Sequence, residues 1–382
     1  MSKKIMVGLL LLGMAGALNA QIWSQVQKVT SGAETLLDPG VALFKTKTGK
    51  VGLILTAIDH WKGKDYWRYV VGWNLSTQGQ AIWTQVGKVT SGGNNLRGGG
   101  VAVADLNGNG APDIVLTAID HWEGKDYWRM VVGSDMNDYG KANWSPPQTI
   151  TSGGNELKGG GVALGDIDGD GHIDVVLSAI DHWEGKDYWR YVIGWNLNAS
   201  GEANWTTPQT VYSGGQTLSG SNVALADIDE NGRLDIIFTA VDHRKDGKDY
   251  WRYKIGWNPS PTGEANWSEV KEVTSGGENL SGCGVYLFDL NGNGKKDVVL
   301  SAVDSWEGKD YWRYAIGWDL SNYGEANWST IDKVYGGGET LIGGNLAIGD
   351  VNGDGRPEII LVAVDTWKGK DYWRFVIGTV SP

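Results

Sequence analysis

The chain has 382 residues, a formal charge of −12, 58 glycines and one cysteine, Cys283. A single cysteine excludes an intrachain disulfide framework, and the acidic balance argues against nucleic acid or an anionic membrane surface as partner while suiting a protein that collects divalent cations. Length alone permits two or three domains, but no Pro/Ser linker or block of charge divides the chain.

At the start, Lys3 and Lys4 precede a mostly apolar stretch from Ile5 to Leu18, and Ala17-Leu18-Asn19-Ala20 ends it in a pattern close to the A-x-A type. This reads as an export signal over 1–20, with a mature chain from Gln21 that is secreted, extracellular or periplasmic. The apolar run is too short and too glycine-rich to hold a bilayer, and no later stretch approaches a spanning length, so membrane insertion is not expected. Residues 21–382 are expected to form one domain.

That domain is a repeat. Trp23, Trp83, Trp144, Trp205, Trp267 and Trp328 open six copies at spacings of 60, 61, 61, 62 and 61. Each copy continues through a Gly-rich turn such as Ser152-Gly153-Gly154, an apolar run such as Val162-Ala163-Leu164, a loop, a second apolar run, the string GKDYWR and an aromatic strand such as Tyr191 to Trp195. About four short runs rich in Val, Ile, Tyr and Trp per copy, with no helical spacing, give an all-β class. Val175 to Ile180 is almost continuously apolar, as in a strand buried on both faces, while Tyr188 to Trp195 mixes aromatics with Arg190 and Gly194 and belongs nearer an edge. Four strands per repeat describe a six-bladed β-propeller of four-stranded blades better than a stacked solenoid, because radial closure protects the sheet edges. The last copy lacks a fourth strand, so the N-terminal strand Trp23 to Val29 is expected to complete it and close the ring.

Between the two apolar runs, five copies carry one nine-residue pattern. It reads Asp105, Asn107, Asn109, Gly110 and Asp113; then Asp166, Asp168, Asp170, Gly171 and Asp174; then Asp227, Asp229, Asn231, Gly232 and Asp235; then Asp289, Asn291, Asn293, Gly294 and Asp297; and last Asp350, Asn352, Asp354, Gly355 and Glu358. Alternate positions of a tight loop aim side-chain oxygens at one point, and a hard cation such as Ca2+ takes six to eight oxygens at about 2.3 to 2.6 Å. The Asp166 loop offers four carboxylates, the Asp227 and Asp350 loops three, and the Asp105 and Asp289 loops two. The first of these is expected to bind tightest. Glu230 replaces the glycine found at position four elsewhere and is expected to strain its loop. The first copy has Lys45-Thr46-Lys47-Thr48-Gly49 here, with no carboxylate, and is expected to be metal-free.

The pattern D-x-[DN]-x-[DN]-G-x-x-[DE] between two apolar runs resembles the integrin-type FG-GAP and VCBS calcium-binding repeats of extracellular propellers, along the whole mature chain. Most copies depart from that family in showing Gly-Val-Ala or Asn-Val-Ala where an FG-GAP repeat has Phe-Gly. The resemblance implies metal loops on one face and ligand-binding loops on the other, in a family that includes sugar-binding mushroom lectins and propeller domains of polysaccharide lyases.

In a four-stranded blade the second connection shares its face with the one between blades. In the third copy it is Asp181-His182-Trp183-Glu184-Gly185-Lys186-Asp187-Tyr188. Its aromatics Trp61, Trp122, Trp183, Trp306 and Trp367 suit the apolar C–H faces of sugars, beside His60, His121, His182 and His243. Asp59, Asp120, Asp181, Asp242, Asp304 and Asp365, with Lys64, Lys125, Lys186, Lys248, Lys309 and Lys370, are expected to hydrogen-bond the hydroxyls. Trp67, Arg68, Tyr69 and their equivalents read instead as inter-blade packing. The four Asn-Trp-Ser/Thr triplets, from Asn143, Asn204, Asn266 and Asn327, recur at one repeat position and read as turn elements.

Near-identical copies lack the single asymmetric arrangement of a catalytic centre and favour several equivalent weak sites. The sequence-level expectation is therefore a secreted calcium-binding lectin that takes carbohydrate multivalently and is not an enzyme. A protein-binding adhesion scaffold stands second and a polysaccharide-cleaving enzyme third.

Overall fold

In the computed structural model, residues 22–380 are described, apart from positions 47, 216, 245, 339 and 368. The export segment lies outside them. All regular structure among the described residues is β, in six antiparallel sheets set around an axis, a six-bladed propeller as the repeats require. Blades one to six begin at Leu36, Leu96, Leu157, Leu218, Leu280 and Leu341.

Blade three shows the plan. An inner strand Leu157–Gly165 pairs with a second strand Asp174–Trp183, which pairs with a third, Lys186–Trp195. The outer strand is broken into Asn204–Trp205 and Gln209–Tyr212, both paired with the third. At the break, the hydroxyl of Thr206 accepts the Ile193 N–H at 3.0 Å, and Ser145 does the same for Val132 at 3.0 Å. The hydroxyls of the Asn-Trp-Ser/Thr triplets are thus used inside the sheet. Gly194 lies opposite Trp205, whose ring stands 2.9 Å from where a Cβ would be, so this glycine is the seat of the outer tryptophan.

The ring closes as the repeat phase demands. Ile22–Trp23 and Gln27–Ala33 both pair with Lys370–Thr379, giving blade six its outer strand from the start of the chain. The inner strands pack side by side around an axial channel of about 280 Å³ walled by apolar residues such as Val101, Val162 and Val223. Bulges in these strands bring backbones so close that a Cβ on Gly159 would lie 2.4 Å from Ser221 N, which only glycine permits.

Between blades, the DYWR residues pack as the repeat argument assigns them. Trp67, Trp128, Trp189, Trp251, Trp312 and Trp373 are fully buried. The indole N–H of Trp189 donates to Thr239 O of the next blade at 3.2 Å, and Trp373 reaches Thr56 O across the closure at 2.9 Å. The aspartate two residues earlier is a latch. Asp187 Oδ2 accepts the N–H of Leu218, the first residue of the next inner strand, at 2.6 Å. Asp65 and Leu96, Asp249 and Leu280, and Asp310 and Leu341 repeat the contact at 2.5 to 2.6 Å, and Asp126 with Leu157 and Asp371 with Leu36 complete the ring.

Candidate functional site: metal loops on one face, aromatic hairpins on the other

In blades two to six the loop after the inner strand carries the acidic pattern. In blade three the carboxylate of Asp166 accepts Gly169 N at 2.8 Å and Gly171 N at 2.9 Å, folding the loop around position one. Position nine opens the second strand, where Asp174 is held by the N–H groups of Ile167 and Asn196, both at 2.8 Å. Carboxylate oxygens of Asp166, Asp168 and Asp174 lie within 4.8 Å of one another, as do those of Asp227, Asp229 and Asp235, so both clusters are able to hold a metal ion.

All five position-nine carboxylates are buried. Removal from water pushes Asp174 up to about 6, despite its two backbone hydrogen bonds, and Asp168 and Asp170 add repulsion. The same desolvation raises Asp113, Asp235, Asp297 and Glu358 above the ordinary carboxylate value. A cation among these oxygens offsets both costs, and an all-oxygen donor set suits a hard one.

Two further carboxylates, missed in the sequence, reach these loops from the connection after the third strand. Asp135 Oδ1 accepts Asn109 Nδ2 at 2.5 Å, and Asp319 Oδ1 accepts Asn293 Nδ2 at 2.6 Å. They serve the two loops with fewest acids, while the equivalents in blades three and four are Asn196 and Asn258. Glu230 adopts φ 59°, the left-handed conformation that Gly169 takes with φ 79° in the neighbouring blade, so its loop does hold a strained residue. The first copy forms a plain turn closed by Thr46 N to Lys50 O at 2.9 Å.

The opposite face is built from hairpins. Glu184 and Gly185 turn the second strand into the third with φ 50° and 72°, a tight two-residue connection that sets Trp183 at the tip. Trp61, Trp122, Trp183, Trp306 and Trp367 stand 43 to 59 % exposed. The lysines at Lys64, Lys125, Lys186, Lys248, Lys309 and Lys370 lie exposed beside them. Each histidine is half-buried and tied by Nδ1 to the latch aspartate, His60 to Asp65 at 2.5 Å, His121 to Asp126 at 2.7 Å, His182 to Asp187 at 2.6 Å and His243 to Asp249 at 2.9 Å.

The aspartates are placed differently from the sequence expectation. Asp59, Asp120, Asp181, Asp242, Asp304 and Asp365 are at most 3 % exposed, and each pairs with the arginine of DYWR, as Asp59 does with Arg68 at 2.8 Å and Asp181 with Arg190 at 2.7 Å. The register sets Asp59 on the same face as Trp61, Tyr66 and Arg68, one residue pair deeper than the tip, where the arginine covers it.

What the sequence reading passed over is the tyrosine of the same string. Tyr66, Tyr127 and Tyr188 stand 6.4 Å, centroid to centroid, from Trp61, Trp122 and Trp183, at tilts of 50 to 59°. Period-two counting from Lys64 would have found it, since Lys64, Tyr66 and Arg68 share one side of the strand while Asp65, Trp67 and Tyr69 share the other.

No protein-family profile matches the chain, and no curated protein matches its sequence. Solved structures do. An α-L-arabinofuranosidase from Fusarium graminearum, in complex with an iminosugar inhibitor, is 10 % identical with a TM-score of 0.56 over 92 % of this chain and 96 % of that one. Another structure of such an enzyme from Fusarium graminearum, with arabinobiose, gives 10 % and 0.53 over 90 % and 92 %. Aleuria aurantia lectin with α-methyl-L-fucoside gives 11 % and 0.54 over 93 % and 97 %.

At these identities the likeness establishes the fold. It also corrects the expectation that the chain is not an enzyme, since arabinofuranosidases share this architecture. A regular ring of blades therefore gives no ground for excluding catalysis. Among the described residues, no helix is long and apolar enough to cross a membrane.

Proposed function

We propose that this chain is an exported, calcium-stabilised propeller that binds carbohydrate through the aromatic hairpins of one face. The observation that carries the reading is the paired, solvent-facing Trp and Tyr rings held at 6.4 Å on a rigid two-residue hairpin. A pyranose presents an apolar C–H face that stacks on such rings, while its hydroxyls need nearby donors, which Lys64 and its equivalents supply. The lectin and the arabinofuranosidases of like fold, bound to a fucoside and to arabinobiose, lend support. The FG-GAP or VCBS kinship remains a proposal resting on the five acidic loops.

In each loop, positions one, three, five and nine would hold Ca2+. In blade three these are Asp166, Asp168, Asp170 and Asp174. Calcium supplies charge compensation for carboxylates already gathered, and fixes the connection between inner and second strands. The hairpins lie on the other face, so the metal acts on the rigidity of the blade rather than on the sugar.

The test is a glycan array with the mature protein in millimolar calcium and after chelation, with product analysis on every glycan bound. Selective binding to one sugar class is the expected result, and released products would add catalysis to it. A silent array with the fold intact overturns the reading.

A further inference from the structure

Resting on that reading, the structure also distinguishes the blades. The outer-strand residue opposite the DYWR arginine changes around the ring, being Lys28, Lys88, Thr149, Thr210, Glu272 and Lys333. Lys88 Nζ lies 4.1 Å over the Trp61 ring and 3.5 Å over Tyr66. Lys28 lies 4.2 and 3.6 Å over Trp367 and Tyr372, and Lys333 lies 4.4 and 4.9 Å over Trp306 and Tyr311. In blade four Arg244 stands where the other copies have Trp, covers Tyr250 at 4.2 Å and pairs with Glu272.

Blades two and three are different. Thr149 and Thr210 are too short to reach a ring, and Thr149 accepts Arg129 Nη1 at 2.7 Å instead. Among the described residues no cation lies over Trp122, Tyr127, Trp183 or Tyr188. Trp122 and Trp183 are also the most exposed of the five tip tryptophans, at 56 and 59 % against 43 to 48 %.

A ring face that holds an ammonium is engaged, and a sugar must displace the cation before it stacks. We infer that stacking of neutral pyranose rings is confined to blades two and three. The outer-strand residue is the specificity switch, threonine opening the platform and lysine closing it. Two open sites on adjacent blades suit one glycan chain or two neighbouring branches, and engaging both raises avidity without a new contact.

The experiment is calorimetric titration with neutral cello-, manno-, xylo- and chito-tetraosides, using the one that binds best. Two sites per chain are expected. Trp122→Ala and Trp183→Ala should each leave one and together none, whereas Trp61→Ala, Trp306→Ala and Trp367→Ala should leave both. Lys62 Nζ also lies 4.7 Å over Trp61, so Lys88→Thr together with Lys62→Glu should add a third site, and Thr149→Lys should close that of blade two. These are surface changes, and unaltered circular dichroism verifies the fold. Equal loss on substituting any of the five tryptophans overturns the inference while leaving the sugar-binding reading intact. No binding of any tetraoside by the unaltered protein overturns both.

Discussion

Replacing Asp187 by Ala should destabilise the ring far beyond what the loss of one surface charge would cost. The side chain is 2 % exposed and does two things, accepting Leu218 N at 2.6 Å and His182 Nδ1 at 2.6 Å. Truncation leaves the Leu218 N–H buried without an acceptor, at about 1 to 3 kcal/mol. The histidine bond, half-exposed and therefore at the low end for a charged partner, adds about 1 kcal/mol. The sum is about 3 kcal/mol, roughly a hundredfold in the folding equilibrium. Urea unfolding at fixed calcium reads it directly, and His182→Ala at the same latch isolates the smaller part. Asp187→Asn, which keeps one acceptor oxygen, should fall between them. If Asp187→Ala costs no more than His182→Ala, the cap on the next inner strand contributes nothing and the latch account of blade-to-blade cohesion is refuted.

Blade six offers the converse test. Among the described residues, Asp371 Oδ1 is buried without a hydrogen-bond partner, where Ser305 donates to Asp310 Oδ1 at 2.5 Å and histidines serve four other blades. Thr366→His should therefore raise the unfolding free energy measured in urea by about 1 kcal/mol, and an unchanged value would show that the oxygen needs no partner. Chelation should lower the melting temperature, because a ligand held only by the folded state stabilises it by about 2.7 kcal/mol at a hundred times its dissociation constant; an unaltered melt removes calcium from the account. Asp168→Asn, at an exposed loop position, should weaken calcium at the blade-three loop roughly tenfold, seen as a smaller calcium-induced rise in melting temperature. The bond to Asp249 raises the His243 pKa above 6.5. A raised folded value favours the protonated form, so this stabilisation is full below about pH 6.5 and is lost as pH rises through the folded value. The stability difference between the native chain and His243→Gln should be larger at pH 6 than at pH 9, and a difference independent of pH would count against the ion pair.

The ring, its blade number and its closure were legible in the sequence because each follows from counting. Six tryptophans at a near-constant spacing fix six blades, and the missing last strand has only Trp23 to Val29 to supply it. The acidic loops were legible because their chemistry is local, with position nine only eight residues from position one. Asp135 and Asp319 were not, since they reach their loops from 26 residues away across a strand pairing that spacing alone does not reveal. The aspartates from Asp59 to Asp365 were misplaced for a related reason. Nothing in Asp-His-Trp states that the first residue points inward to an arginine nine residues on, and only the hairpin register decides it.

Repetition itself separates structure from function in this chain. A requirement of closure, such as the latch aspartate or the buried tryptophan, arises in every blade, so the residues that meet it are the same six times: Asp65 and Trp67 have counterparts everywhere. A residue that varies among blades answers no such requirement. The outer-strand position beside the aromatic pair varies from lysine through threonine to glutamate, although each of these side chains is exposed and the strand pairs identically behind it. Packing does not explain that variation, whereas control of access to the ring faces does. The Asp, Trp and Arg of GKDYWR therefore build the propeller, and on the proposed reading the variable residue opposite the arginine governs access to the ring faces.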